Sequence, residues 1–163
     1  MPDKHVLYLL LGANLGDRMQ SFRSAKDLIE ARVGCVILSS SVYETAPWGV
    51  LDQPSFLNQV LAVETVLAPL DILSCILSIE KELGRVRLER WAARMIDIDM
   101  LYYDDLVLDV SHLTIPHPRL QDRRFTLAPL AEISPEFCHP LLKRTNQQLL
   151  SDCPDDSSVF IFS

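Results

Sequence analysis

Asp97 and Asp99 alternate with Ile96, Ile98 and Met100, and just upstream Arg85, Arg87, Arg90 and Arg94 surround Trp91. Strict alternation predicts a strand with one face buried. Residues two apart on a strand point the same way, so both carboxylates project from one face, roughly 7 Å apart along the chain. A pair at that spacing suits a hard cation such as Mg²⁺, which takes one or two carboxylates and completes its shell with water and phosphate oxygens. Arginine forks bind those same oxygens. Acid for a metal beside base for phosphates points to phosphoryl-type transfer, whereas a D-x-D on its own is more often a solvated strand face.

Further along, Pro116 and Pro118 hold His117 in an extended loop followed by Arg119, Arg123 and Arg124, as a phosphate-binding segment would. Glu80 lies near the arginine run and could serve a ligand or pair with an arginine. Asn58, two residues after Phe56, offers an amide that donates and accepts together, which suits the edge of a base-like ring. Trp48 sits in the loop TAPWGVLDQP, where it could stack a flat heterocycle or pack on the core. Adjacent Cys138 and His139 are a weak metal signal without further ligands.

The elements that must position these residues follow from pattern. A first strand is expected over His5–Leu11, ending at a glycine-bearing turn that lacks the Lys-Ser/Thr ending of a Walker loop. Asp17 is placed to cap a helix carrying Met19, Phe22, Ala25 and Ile29, with Gly34 as its stop. A second strand is expected over Val36–Tyr43 and a third over Phe56–Thr65. Pro69 opens a second helix with Leu73, Ile76, Leu77 and Leu83 as its apolar stripe and Gly84 as its end. The fourth strand carries the two aspartates to Tyr103; Asp104-Asp105 turns the chain and Leu106–Leu108 returns as a hairpin strand. A short helix interrupted at Pro129 follows, then a helical turn over Asn146–Ser151. Strand, helix, strand, strand, helix, strand is the ferredoxin-like α+β order, an antiparallel sheet with helices on one face and here a C-terminal extension.

A chain of 163 residues with 48% hydrophobic content supports one domain over 1–163. A net charge of −7 argues against nucleic-acid or polybasic membrane binding, which makes the local arginine cluster the exception and a small anionic ligand its natural partner. Scattered Cys35, Cys75, Cys138 and Cys153 fit reduced thiols. With no apolar leader and no long apolar run, a soluble cytoplasmic protein, monomeric by default, is the expectation.

The segments LGANLGDR, VYETAPWG, DQPSFLNQV, LGRVRLERWAARMIDIDML and LTIPHPRLQDRRFTLAPLAEISPE, in that order, resemble the hydroxymethyl-dihydropterin pyrophosphokinases of folate synthesis. R-W-x-x-R-x-x-D-x-D followed by P-H-P-R is the most specific part. The resemblance implies a ferredoxin-like fold and transfer of a pyrophosphoryl group from ATP to the pterin hydroxymethyl oxygen, with two Mg²⁺ ions. By position, Asp97 and Asp99 would hold both ions, and Arg85 and Arg94 would be catalytic-loop arginines on the phosphates. Glu80, Arg87, Arg90, Ile98, His117, Arg119 and Arg123 would line the ATP side. Thr45, Trp48, Phe56, Asn58, Trp91 and Phe125 would form the pterin slot.

The chain departs from that pattern in two places. Ala92 and Ala93 stand where the family usually has Gly-Pro, with Met95 where Thr is common, and Arg124 replaces a small residue beside Phe125. The first change alters the dihedrals open to the loop. Two other classes fit the same residues: a ferredoxin-like module that binds nucleotide without turnover, and a different Mg²⁺-dependent transferase indifferent to pterin.

Overall fold

The computed structural model describes residues 3–14, 16–45, 55–84 and 96–162. Its centre is β1 (His5–Ala13), longer than expected and apolar almost throughout because both of its faces are covered. β4 (Phe56–Thr65) pairs antiparallel along its whole length on one side, and β5 (Asp97–Tyr103) pairs on the other. The outer edge of β4 carries two short strands, β2 (Cys35–Ser39) and β3 (Tyr43–Thr45), where one strand over 36–43 was expected. Ser40 makes the break. Its backbone still pairs with Val60, but its hydroxyl takes the Val60 N–H at 2.9 Å, and its carbonyl accepts the Gln59 side-chain amide at 2.7 Å. The side chain replaces a ladder bond and lets the chain turn before pairing resumes.

One face of the sheet is sealed by α1 (Arg18–Arg32) and α2 (Pro69–Gly84). Asp17 caps α1 through the Gln20 N–H, as its position predicts. Gly34 follows the helix because a Cβ there would lie 2.1 Å from the Glu64 carbonyl oxygen. The α2 stripe is Ile72, Ile76 and Ile79; Leu77, expected in it, is 53% exposed on the helix shoulder. These side chains meet Leu7, Leu9, Leu11, Ile98 and Met100 from the sheet.

The opposite face, expected bare of helices, is covered by the C-terminal third. Tyr8, Leu10, Val60, Ala62, Leu101 and Tyr102 pack beneath a 3₁₀ turn at Leu120–Asp122, α3 (Arg124–Ile133) and α4 (Asn146–Ser151). α3 is not interrupted at Pro129; the buried Leu127, Leu130 and Ala131 hold it continuous through the missing N–H. Glu132 ties α3 to the far edge of the sheet, accepting from the Tyr43 hydroxyl at 2.8 Å and the Ser41 N–H at 3.1 Å.

The expected return strand against β5 is absent. Instead β6 (Leu108–Val110) pairs with β7 (Leu113–Ile115) in a separate ribbon beside β5, while Asp104, at φ 49, turns the chain and caps the Val6 N–H. At the other end of the sheet, β8 (Val159–Ile161) adds a strand to β3 from the C-terminal segment. The sheet order β5-β1-β4-β3-β8, with β2 also on β4, keeps the ferredoxin-like core and extends its edge. Among the described residues no helix is long and apolar enough to cross a membrane.

Candidate active site

Directly paired residues on neighbouring strands share a face. Gly12 on β1 lies opposite Asn58 on β4 and opposite Asp97 on β5; Leu10 lies opposite Asp99. Leu10 belongs to the core beneath α3, so Asn58, Gly12, Asp97 and Asp99 all look toward that side. Tyr43 extends the row beyond Asn58, and Thr45 pairs with Phe56 one step further along. With strands about 4.8 Å apart, the backbones of Asn58 and Asp97 are separated by about 10 Å, with Gly12 between them.

Gly12 was expected in a turn, but it lies inside β1 and serves the site through its missing side chain. A Cβ there would come within 2.9 Å of Asn58 Nδ2, so the glycine leaves the space that the amide fills. Asn58, 6% exposed, donates from Nδ2 to the Leu11 carbonyl at 3.3 Å. Phe56 beside it is 44% exposed, while Thr45 is buried with its hydroxyl oxygen lacking a hydrogen-bond partner among the described residues. Thr126, on the first turn of α3, is in the same condition. A buried hydroxyl without a partner costs free energy unless a ligand or water supplies one.

On β5, Asp97 is exposed and Asp99 half-buried. Between them the Ile98 side chain is buried in the α1–α2 core, while its N–H donates to Glu80 Oε2 at 2.8 Å. Glu80 therefore anchors the end of α2 to the backbone that carries the two carboxylates.

The loop after β7 comes to the same place. Ile115–Pro116 is cis, and the His117 N–H donates to the Leu101 carbonyl of β5 at 3.0 Å. His117 Nδ1 accepts the Arg119 N–H at 3.1 Å, which makes Nε2 the protonated nitrogen of the neutral ring. Burial lowers the His117 pKa, aided by Arg123 and Arg119 and opposed by Asp99. Asp99 and His117 line a cavity of about 380 Å³ whose other walls include Leu73, Ile76 and Ile98. Ser111, His112 and Thr114 also line it, so the cleft offers polar contacts at least as much as apolar ones.

Arg119 is exposed, 3.8 Å from Asp122, and Arg123 lies over the Phe125 ring at 5.7 Å. Phe125 is half-buried on the first turn of α3, where it also touches the core. Arg124 has a partner that its position in the sequence did not reveal: its N–H and Nε both reach Asp155, at 3.0 and 2.8 Å. Trp48, Arg85, Arg87, Arg90, Trp91 and Arg94 lie outside the described residues, as do Ala92, Ala93 and Met95. Cys138-His139 is structural: His139 is buried, and its Nδ1 accepts the N–H groups of Leu141 and Leu142.

No group of three metal-ligating side chains occurs among the described residues. Asp97 and Asp99 are instead a pair on one strand face, a donor set that fits Mg²⁺ shared with phosphate oxygens.

Comparison with known proteins matches residues 8–135 to the family model described as 7,8-dihydro-6-hydroxymethylpterin-pyrophosphokinase. The chain is 44% identical over 131 residues to the corresponding pyrophosphokinase of Methylorubrum extorquens, covering 80% of this chain and 83% of that protein. It is 41% identical to the Bacillus subtilis enzyme, covering 79% of this chain and 78% of that protein. The folic acid synthesis protein of Schizosaccharomyces pombe is 39% identical over 91% of this chain, but the chain spans only 20% of that relative. A crystal structure of Plasmodium falciparum HPPK-DHPS superposes with a TM-score of 0.79 at 19% identity, over 93% of this chain and 46% of that one, a likeness of fold. The two bacterial relatives and the model spanning residues 8–135 agree, and the chain belongs to the 7,8-dihydro-6-hydroxymethylpterin-pyrophosphokinase family.

Proposed function

We propose that this chain transfers the pyrophosphoryl group of ATP to the hydroxymethyl oxygen of 6-hydroxymethyl-7,8-dihydropterin, releasing AMP, in folate biosynthesis. The observation that carries this reading is the row Asn58–Gly12–Asp97 across three adjacent strands, with Asp99 next along β5 and a cleft at that strand's outer side. In this reading the carboxylates stand between a polar and aromatic slot for the pterin and a cleft of mixed polar and apolar lining for the nucleotide.

Release of AMP requires attack at the β-phosphorus. The hydroxymethyl oxygen bonds to that phosphorus as the bond to the α–β bridging oxygen breaks; AMP carries that oxygen away and the hydroxyl loses its proton. Such a transfer asks the protein mainly for alignment and charge neutralisation. Asn58 takes the edge of the pterin ring, with Thr45, Trp48, Phe56, Trp91 and Phe125 as the remaining slot. Asp97 and Asp99 would hold two Mg²⁺ ions, which would supply positive charge to neutralise the phosphate oxygens. On the ATP side, His117 offers Nε2–H as a neutral donor. Arg119 and Arg123 add charge there, Ile98 lines the cleft, and Glu80 holds the Ile98 N–H. Arg85, Arg87, Arg90 and Arg94 are assigned to the phosphates from the sequence.

Asp97→Asn tests the metal assignment. Turnover is expected to fall by about a thousandfold or more with an unchanged circular dichroism spectrum. Normal turnover in that variant would remove Asp97 from the metal site.

A further inference from the structure

We propose that Asp155 is a positioning residue for the pterin slot, acting through the N-terminus of α3. This rests on the assignment of Phe125 to that slot.

A helix begins with N–H groups that have no partner inside it and with a partial positive charge. The residue preceding α3 is Arg123, whose side chain caps nothing. Asp155 does the capping from a distance of thirty-one residues in sequence, its Oδ2 accepting the Arg124 N–H at 3.0 Å. Its backbone carbonyl accepts Arg124 Nε at 2.8 Å, and its Oδ1 accepts the Ser157 N–H at 2.9 Å together with the Ser157 hydroxyl. Burial pushes the Asp155 carboxyl pKa up, but the hydrogen bonds from Ser157 and Arg124 outweigh it, and the group sits below the usual carboxylate range. The first helical residue is therefore fixed by an anion that is itself fixed, and the next residue is Phe125.

The same segment reaches the rest of the slot. Val159 pairs with Thr45 across β8 and β3. Phe162 lies under the Arg18 guanidinium at 5.5 Å, and Arg18 donates to the carbonyl of Ser55, the residue before Phe56, at 2.7 Å. One stretch of chain thus touches the neighbours or partners of Phe125, Thr45 and Phe56. Phe160 and Ile161 are 50% and 58% exposed, and Phe162 is the side chain of this strand end that packs on the core. Beyond that one apolar contact it supplies geometry: polar and backbone contacts that hold the two walls of the slot to each other.

The test is the Michaelis constant for each substrate in the wild type, Asp155→Ala, Asp155→Asn and Phe125→Ala, with a thermal melt of each. Asp155→Ala is expected to raise the pterin KM about tenfold while the ATP KM stays within about twofold. Asp155→Asn keeps an oxygen for the Arg124 N–H and is expected to recover most of that loss. An unchanged pterin KM in Asp155→Ala, with Phe125→Ala raised, would overturn the positioning role and leave the slot standing. Both KM values rising together with a lower melting temperature and no recovery in Asp155→Asn would also overturn it, as plain destabilisation. An unchanged pterin KM in Phe125→Ala would overturn the slot assignment and this proposal with it.

Discussion

Gly12 shows how one missing side chain organises a site. It lies between Asn58 and Asp97 in register, and the space above it holds the Asn58 amide. Gly12→Ala would put a methyl 2.9 Å from Asn58 Nδ2, and the amide must move because Cβ on a central strand cannot. Overpacking of this kind costs about 1–3 kcal/mol. The predicted outcome is a pterin affinity weaker by about tenfold with ATP affinity unchanged, read by equilibrium titration of each ligand. Equal loss for both ligands would mean that the strand, and not the amide, had moved. His117 makes a similar point about residue detail: its Nδ1 is taken by the Arg119 N–H, so only Nε2 is left to face a ligand.

At the scale of elements, the sheet edge is set by Ser40, which ends β2 and lets β3 start. Ser40→Ala leaves the buried Val60 N–H without its acceptor. A loss of about 1–3 kcal/mol is expected, seen as a lower urea midpoint with unchanged slope. β4, β5 and both ends of α2 were legible because period-two and period-3.6 patterns and the Pro69 and Gly84 signals agree there. The break at Ser40 was not, because Val36 to Tyr43 reads as one β-prone run and the bond that breaks it comes from β4, far away in sequence. The α2 stripe was placed one shoulder off, since Leu77 and Ile79 are both apolar and only packing chooses between them. At the site, the aspartate pair and the His117 loop were visible as local patterns. Gly12 and Asp155 were not, because each acts through a contact made by tertiary folding.

At the scale of the whole molecule, the sheet is covered on both faces, and the second cover brings titratable groups inside. His139 is 3% exposed against Tyr102, and burial lowers its pKa from the ordinary 6.5. The fold therefore prefers the neutral ring, the unfolded chain protonates first, and stability falls as pH drops below about 6.5. His117, also lowered, works in the same direction. Urea midpoints are predicted to be lower at pH 5 than at pH 7.5, and His139→Asn to shrink that difference; an unchanged difference would leave His139 without a part in it. On an acidic chain of net charge −7, His117 also feels Asp99 together with Arg123 and Arg119, an arrangement that suits the anionic ligand proposed above. The most direct test of that account is AMP release from ATP and Mg²⁺ with and without 6-hydroxymethyl-7,8-dihydropterin. AMP that appears only with the pterin is the predicted result. ADP in its place, or ATP binding with no AMP under either condition, would contradict it.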